Sequence, residues 1–171
     1  RLRRGELAKA RRFLDDLAAA QEAEGTRPSL IAKTLSNAAA RALDYGQEGW
    51  AEELYRRASA AAPEDPVPRD GLAEVLKARG ELEEAELLYR ETVTRWPDDL
   101  FARTGLAMVL KARGELEEAE RICRETTARW PNHAAARNAL AEIMKARGEL
   151  DEAERMYREA AGRWPDDPFS H

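Results

Sequence analysis

The chain has 171 residues, of which 36% are charged and only 6% aromatic; 28 Lys+Arg against 33 Asp+Glu leave a net charge of -5. Strand-formers are scarce, and the acidic balance lacks the basic footprint that draws phosphate backbones or anionic lipid, which argues against nucleic acid as a partner. The single cysteine, Cys123, cannot form an internal disulfide or build a metal site alone, so the fold must rest on apolar packing, compatible with a reducing, cytoplasmic compartment.

From the N-terminus, Arg1-Leu2-Arg3-Arg4-Gly5 leads into an amphipathic stretch rather than an apolar signal core, and no run approaches the roughly 18 apolar residues of a membrane span. No membrane association is expected. Arg4-Gly5-Glu6-Leu7 followed by Ala10 reads as the start of one helix, with Phe13, Leu14 and Leu17 on its packing face. Residues 1–28 thus form a partial unit that ends in an irregular connection around Glu24-Gly25-Thr26-Arg27-Pro28. A helix over roughly Ser29 to Asp44 opens a divergent unit, residues 29–63.

The next three units, residues 64–97, 98–131 and 132–165, are nearly literal copies. Lys77-Ala-Arg-Gly-Glu-Leu-Glu-Glu-Ala-Glu86 recurs unchanged as Lys111 to Glu120, and again as Lys145 to Glu154 with Asp151 for Glu. Gly46, Gly80, Gly114 and Gly148 are spaced 34 residues apart, as are Pro63, Pro97, Pro131 and Pro165, and Trp precedes three of the prolines at Trp96, Trp130 and Trp164. That period indicates a two-helix solenoid unit. Proline cannot continue a helix, so helix A lies between each Pro and the next Gly, and helix B between that Gly and the following Pro.

Local chemistry agrees with these boundaries. Asp65, Asp99 and Asp167 suit the start of helix A, Lys111 and Arg113 its negative end, Gly114 a left-handed closing position, and Glu117 and Glu118 the first turn of helix B. Leu106, Ala107 and Leu110 on helix A, then Leu116, Ala119, Cys123 and Thr126 on helix B, follow helical spacing. A lone hairpin cannot bury this face, so successive units must stack. The chain begins without Met inside a repeating unit, and residues 166–171 read as the start of a further unit or a tail. The expectation is a piece of a longer protein with stacking surface exposed at both ends.

At these residues the chain resembles the tetratricopeptide repeat family. The matching positions in residues 64–97 are Leu72, Ala73, Leu76, Gly80, Ala85, Tyr89 and Pro97, with Thr92 where the family usually has Ala; the last unit matches at Ala153, Tyr157, Ala160 and Pro165. Three departures stand out. Arg69, Arg103 and Arg137 occupy the column where the family often has Trp, Ala38 stands where Leu is expected, and the clamp for C-terminal carboxylates used by chaperone-binding members is replaced by Ser36, Ala40, Asp70, Glu74, Ala135 and Ala139. The missing bulk is expected from Trp96 and Trp130, covering the stack near Arg103 and Arg137 in a cation–π arrangement.

The resemblance implies an all-α, right-handed superhelical solenoid of antiparallel helix–turn–helix hairpins whose concave, helix-A surface receives a protein or peptide. Carried over residue by residue, the binding candidates are Lys33, Asn37, Asp70, Glu74, Lys77, Phe101, Thr104, Met108, Lys111, Asn138, Glu142 and Lys145, with Ser36, Ala40, Val67 and Ala135 in the same columns. The Lys77, Lys111, Lys145 column either reads acidic groups on a partner or compensates the helix dipoles. Phe101 and Met108 either form an apolar ligand spot or pack between helices. Cys123 sits in the column of Tyr89 and Tyr157, which makes it a small core side chain, and His133 falls in a turn between units.

No Gly-rich phosphate loop, HExxH or paired cysteines are present, so no catalytic, cofactor or metal site is expected. The leading reading is a protein- or peptide-binding scaffold. Two alternatives stay open: a self-assembly module that stacks end to end through open repeats into a homo-oligomer, and a substrate-recruiting fragment of a larger enzyme.

Overall fold

The computed structural model describes residues 9, 11–16, 19–20 and 27–163, with side chains as far as Arg158. The readings on Arg4 to Leu7, Ala10, Leu17, Glu24 to Thr26, the Ala160 side chain, and Trp164 onward, Asp167 and His171 included, lie outside the described residues. Eight helices follow one another between Pro28 and Arg163: α1 Pro28–Asp44, α2 Glu48–Ala61, α3 Pro66–Ala78, α4 Leu82–Arg95, α5 Leu100–Arg113, α6 Leu116–Arg129, α7 Ala134–Arg147 and α8 Leu150–Arg163. They fall into two compact units, Arg1–Arg79 with α1 to α3, and Gly80–His171 with α4 to α8.

Each helix end has a local chemical cause. Asp65 Oδ1 accepts from the backbone N–H of Val67 at 3.0 Å, and Asp99 Oδ1 from that of Ala102 at 3.0 Å, which satisfies donors that the first helical turn leaves open. At the other end of α5, Gly114 sits at φ +82°, its N–H reaching Lys111 O at 3.0 Å while the N–H of Glu115 reaches Leu110 O at 2.9 Å. That pair of bonds is the Schellman closure, and a left-handed residue is required for it. The same two bonds recur at Gly148 and Glu149.

In the first unit, α1 and α2 pack as an antiparallel hairpin and α3 packs on α2. The core comprises Ile31, Leu35, Trp50, Leu54, Tyr55, Leu72 and Leu76, all buried. Ile31 and Leu35 supply bulk that the half-buried Ala38 does not. Phe13, Leu14, Ala38, Arg41, Tyr45 and Trp50 border a separate apolar hollow, and the guanidinium of Arg11 lies 5.5 Å from the Trp50 ring centre. In the second unit, α5–α6 and α7–α8 form hairpins, α4 packs on α5, and α6 packs on α7. Tyr89, Leu106, Leu110, Ile122, Cys123, Leu140, Ile143 and Met144 fill the space between them.

The packing between consecutive hairpins turns on a tyrosine and a glycine 16 residues apart. A Cβ added at Gly105 would lie 2.4 Å from Tyr89 Cζ, and one added at Gly71 would lie 2.3 Å from Tyr55 Cε1. Both glycines are therefore there to let a ring rest on helical backbone, at a cost in helix propensity of about 1 kcal/mol each. One period further on, Cys123 replaces the tyrosine and Ala139 the glycine, so a small side chain meets a helix that again carries a methyl group.

The arginine column departs from expectation. Neither Trp96 nor Trp130 engages Arg103 or Arg137 as its cation: the ring of Trp96 is covered by Arg95 at 4.8 Å, and that of Trp130 by Arg129 at 5.0 Å. The immediate chain neighbour reaches each ring first. Arg103 instead donates through Nε to Thr126 Oγ1 at 3.2 Å and through Nη2 to Glu125 at 3.1 Å, and approaches Pro97 O at 3.4 Å; Arg137 Nε donates to Pro131 O at 3.1 Å. Arg103, a departure from the family pattern, and Thr126, one 34-residue period after Thr92, are partners. Thr126 is fully buried and in turn donates to Ile122 O at 2.7 Å.

The repeated ten-residue segment is also a charge ladder. Arg113 Nη1 lies 3.0 Å from Glu86 of the preceding copy and its Nε 2.8 Å from Glu115, while Arg147 lies 2.7 Å from Glu120 and 2.9 Å from Glu149. Each copy thus presents the acid that the next copy's arginine needs. Each pair is partly exposed and weak alone; the ladder acts as a network.

Candidate functional site

The exposed faces of the A helices carry the predicted binding residues, and each unit is considered separately. In the first unit, α1 and α3 border an open cleft of about 650 Å³, lined by Arg27, Leu30, Lys33, Ser36, Asn37 and Val67, with Asp65 at one edge. Lys33 and Asn37 are exposed and belong to this cleft. Leu30 is 51% exposed and Val67 60%, so two large aliphatic side chains stand in solvent at its wall. Asp70 is half-buried on the same helix as Val67, and Glu74 is bound by Lys77 Nζ at 2.6 Å, one turn along.

In the second unit, Phe101 is 71% exposed in the first turn of α5, while Met108 is half-buried two turns further on. The Thr104 hydroxyl turns back on its own helix, 2.9 Å from Leu100 O and 3.1 Å from Phe101 O, as helical threonines commonly do. Asn138 is half-buried. Lys111 Nζ lies 3.0 Å from Glu142 Oε2, across from α5 to α7, and the Tyr157 hydroxyl of α8 donates to the other oxygen of the same carboxylate. Those two interactions, the tyrosine's first, hold the Glu142 carboxyl below its usual range. Burial, and then the neighbouring carboxylate, raise the Tyr157 phenol.

The three lysines of one sequence column therefore have different fates. Lys77 ties to its own helix, Lys111 ties one hairpin to the next, and Lys145 is exposed without an ion pair among the described residues. Sequence reading missed Arg27 and Leu30 in the cleft, although Leu30 lies one helical turn before Lys33, the spacing that places both on one face. It also missed Tyr157 as a partner of Glu142, for which no local spacing carries a signal.

Elsewhere the chemistry is quiet. Burial pushes the Cys123 thiol up to about 12, where it is fully protonated at neutral pH. His133 is exposed at the residue preceding α7 and makes no side-chain capping bond. Among the described residues no group of His, Cys, Asp and Glu is placed to hold a metal ion, and no helix is long and apolar enough to cross a membrane.

Residues 98–165 match a family model described as tetratricopeptide repeat, and residues 69–96 match a second model of the same description, so together the two matches cover more than half of the chain. Comparison with curated protein sequences yields no match. Among solved structures, a thermophilic TPR protein of Thermus thermophilus is similar with a TM-score of 0.71 at 21% identity, over 77% of this chain and 73% of that one. The first TPR of Spaghetti, bound to an HSP90 peptide, gives 0.64 at 22% over 70% and 95% of the two chains. YrrB, a TPR protein with an unusual peptide-binding site, gives 0.65 at 21% over 96% and 84%. At such identities the likeness is one of fold.

Proposed function

The chain belongs to the tetratricopeptide repeat family, and on that premise we propose that it is a non-enzymatic scaffold that holds a protein or peptide partner against its helix-A surfaces. The observation that carries the reading is the exposed apolar surface of those helices: Leu30 and Val67 in the first unit and Phe101 in the second stand in solvent beside ionic side chains. Exposed apolar groups rimmed by charge are what a recognition surface offers a partner. Two neighbours of the same fold, one bound to a peptide and one named for its peptide-binding site, support it. Fold alone does not choose a function, so the residues must.

In this reading Lys33 and Asn37 serve the first unit, and Phe101, Met108 and Lys145 the second, with Asp70 and Asn138, already engaged themselves, beside them. Glu74, Lys77, Thr104, Lys111 and Glu142 contribute shape more than charge, because their polar atoms already have partners. The test is affinity capture from an extract of the source cells with three forms of the chain: unmodified, Phe101→Asp, and Leu87→Asp. Leu87 is 58% exposed on helix-B α4 and serves as the control for an added surface charge. Proteins lost with Phe101→Asp but kept with Leu87→Asp are the expected result. Identical capture by all three forms would overturn the assignment to the helix-A face.

A further inference from the structure

We infer that the cleft between α1 and α3 recognises an extended, acidic segment of a partner protein in which an aliphatic side chain and a carboxylate lie two residues apart. The inference rests on the interaction reading above and names the chemistry of its first-unit site. At about 650 Å³ the cleft falls within the roughly 300–1,000 Å³ range of pockets that enclose several ligand groups.

Three features converge on that occupant. The first is charge. Arg27 and Lys33 line the cleft, and neither has an ion-pair partner among the described residues. The carboxylate at its edge, Asp65, is already committed to the backbone N–H of Val67. Two cations, Arg27 and Lys33, against the one carboxylate of Asp65 leave the lining net positive on a chain of net charge -5, and an acidic segment repelled by the rest of the surface is attracted here.

The second is a buried hydroxyl. Ser36 is only 9% exposed, and its Oγ has no hydrogen-bond partner among the described residues. Thr34 on the same helix returns its hydroxyl to Leu30 O at 2.9 Å, the usual local solution, which Ser36 does not adopt. A buried polar atom left without a bond costs free energy until a ligand pairs with it.

The third is spacing. Leu30, Lys33 and Asn37 occupy successive turns of one helix face, with neighbours about 5–6 Å apart, and Val67 adds apolar wall from α3. In an extended peptide, residues two apart project to the same side at about 6.6 Å. An aliphatic residue set against Leu30 and Val67 therefore brings the carboxylate two positions along to Lys33, with Asn37 beyond it for the peptide backbone.

A random twelve-residue displayed-peptide library, selected on the whole immobilised chain, tests this. Enriched peptides are then measured by fluorescence polarisation against the chain and its variants. The expected result is enrichment of an aliphatic residue two positions from Asp or Glu, with affinity about tenfold weaker for Lys33→Glu and unchanged for the helix-B control Leu87→Asp. Ser36→Ala should weaken binding about threefold without lowering the melting temperature, a combination that a purely structural serine does not produce. Neutral or basic peptides, or acidic ones that ignore Lys33→Glu, overturn this assignment while the scaffold reading stands. No enrichment at all, together with undiminished capture by the Phe101→Asp chain, overturns both.

Discussion

Replacing Gly105 with alanine places a methyl group 2.4 Å from Tyr89 Cζ, 2.5 Å from Cε1 and 2.7 Å from the hydroxyl oxygen. Carbon atoms in contact prefer about 3.5–4.0 Å, so the ring must retreat by about 1 Å into a core that leaves Tyr89 only 1% exposed. Overpacking of this kind costs about 1–3 kcal/mol, and a ring pinned against backbone belongs at the upper end. Helix propensity returns about 1 kcal/mol, leaving a net loss of about 2 kcal/mol. For a chain of this size that lowers the melting temperature by about 4–8 °C.

Tyr89→Cys alone opens a cavity and should cost about 3–5 kcal/mol. The double replacement reproduces the pair that the next repeat already uses, Cys123 with Ala139. It removes the clash, keeps the propensity gain and fills part of the cavity, so its loss should fall about 3 kcal/mol short of the sum of the singles. Urea denaturation followed by circular dichroism, with m-values compared across the four proteins, measures the cycle. Additivity within about 0.5 kcal/mol, or a Gly105→Ala chain more stable than the parent, would refute the argument.

Thr126→Ala should destabilise the chain by about 1–2 kcal/mol because Arg103 Nε loses its acceptor, but should be nearly neutral in an Arg103→Leu background; equal losses in both backgrounds, read from urea midpoints, would break the pairing. Cys123 should react with an aromatic disulfide reagent at pH 8 about a hundredfold more slowly in the native chain than in urea, since burial removes both access and thiolate; immediate stoichiometric labelling of the folded protein contradicts that. Glu142 has a depressed folded-state pKa, so its contribution is fully present above the unfolded value of about 4.3 and is lost as pH falls through the folded one. The stability advantage of the parent over Glu142→Gln should therefore be constant near neutrality and vanish in acid, and a difference that persists unchanged to pH 3 would rule this linkage out.

Much of the fold was legible in the sequence because the forces that bound a helix act over a few residues. A carboxylate at Asp99 meets an N–H three positions on, and Gly114 and Glu115 close α5 through bonds to carbonyls three and five residues back, respectively. Core columns such as Leu106, Leu110 and Cys123 follow from a 3.6-residue period and a 34-residue repeat, both read directly from the chain. Even the glycine that receives the Tyr89 ring leaves a trace, a Tyr–Gly spacing of 16 that appears twice and changes at both ends together the third time.

The availability of each polar side chain was not legible, because it depends on what another helix brings near. Lys77 and Lys111 share a sequence column, yet one is bound by its own helix and the other by Glu142, 31 residues away. Arg103 takes Thr126, 23 residues away, in place of the indole that sequence spacing suggested, because the adjacent Arg95 covers Trp96. Periodicity determines which residues share a face; packing between helices determines which of them still have a charge or a hydroxyl to offer. In the first unit that leaves Lys33 and Ser36 in the cleft, and only the tertiary structure separates Lys33 from Lys77 and Lys111, which are already engaged.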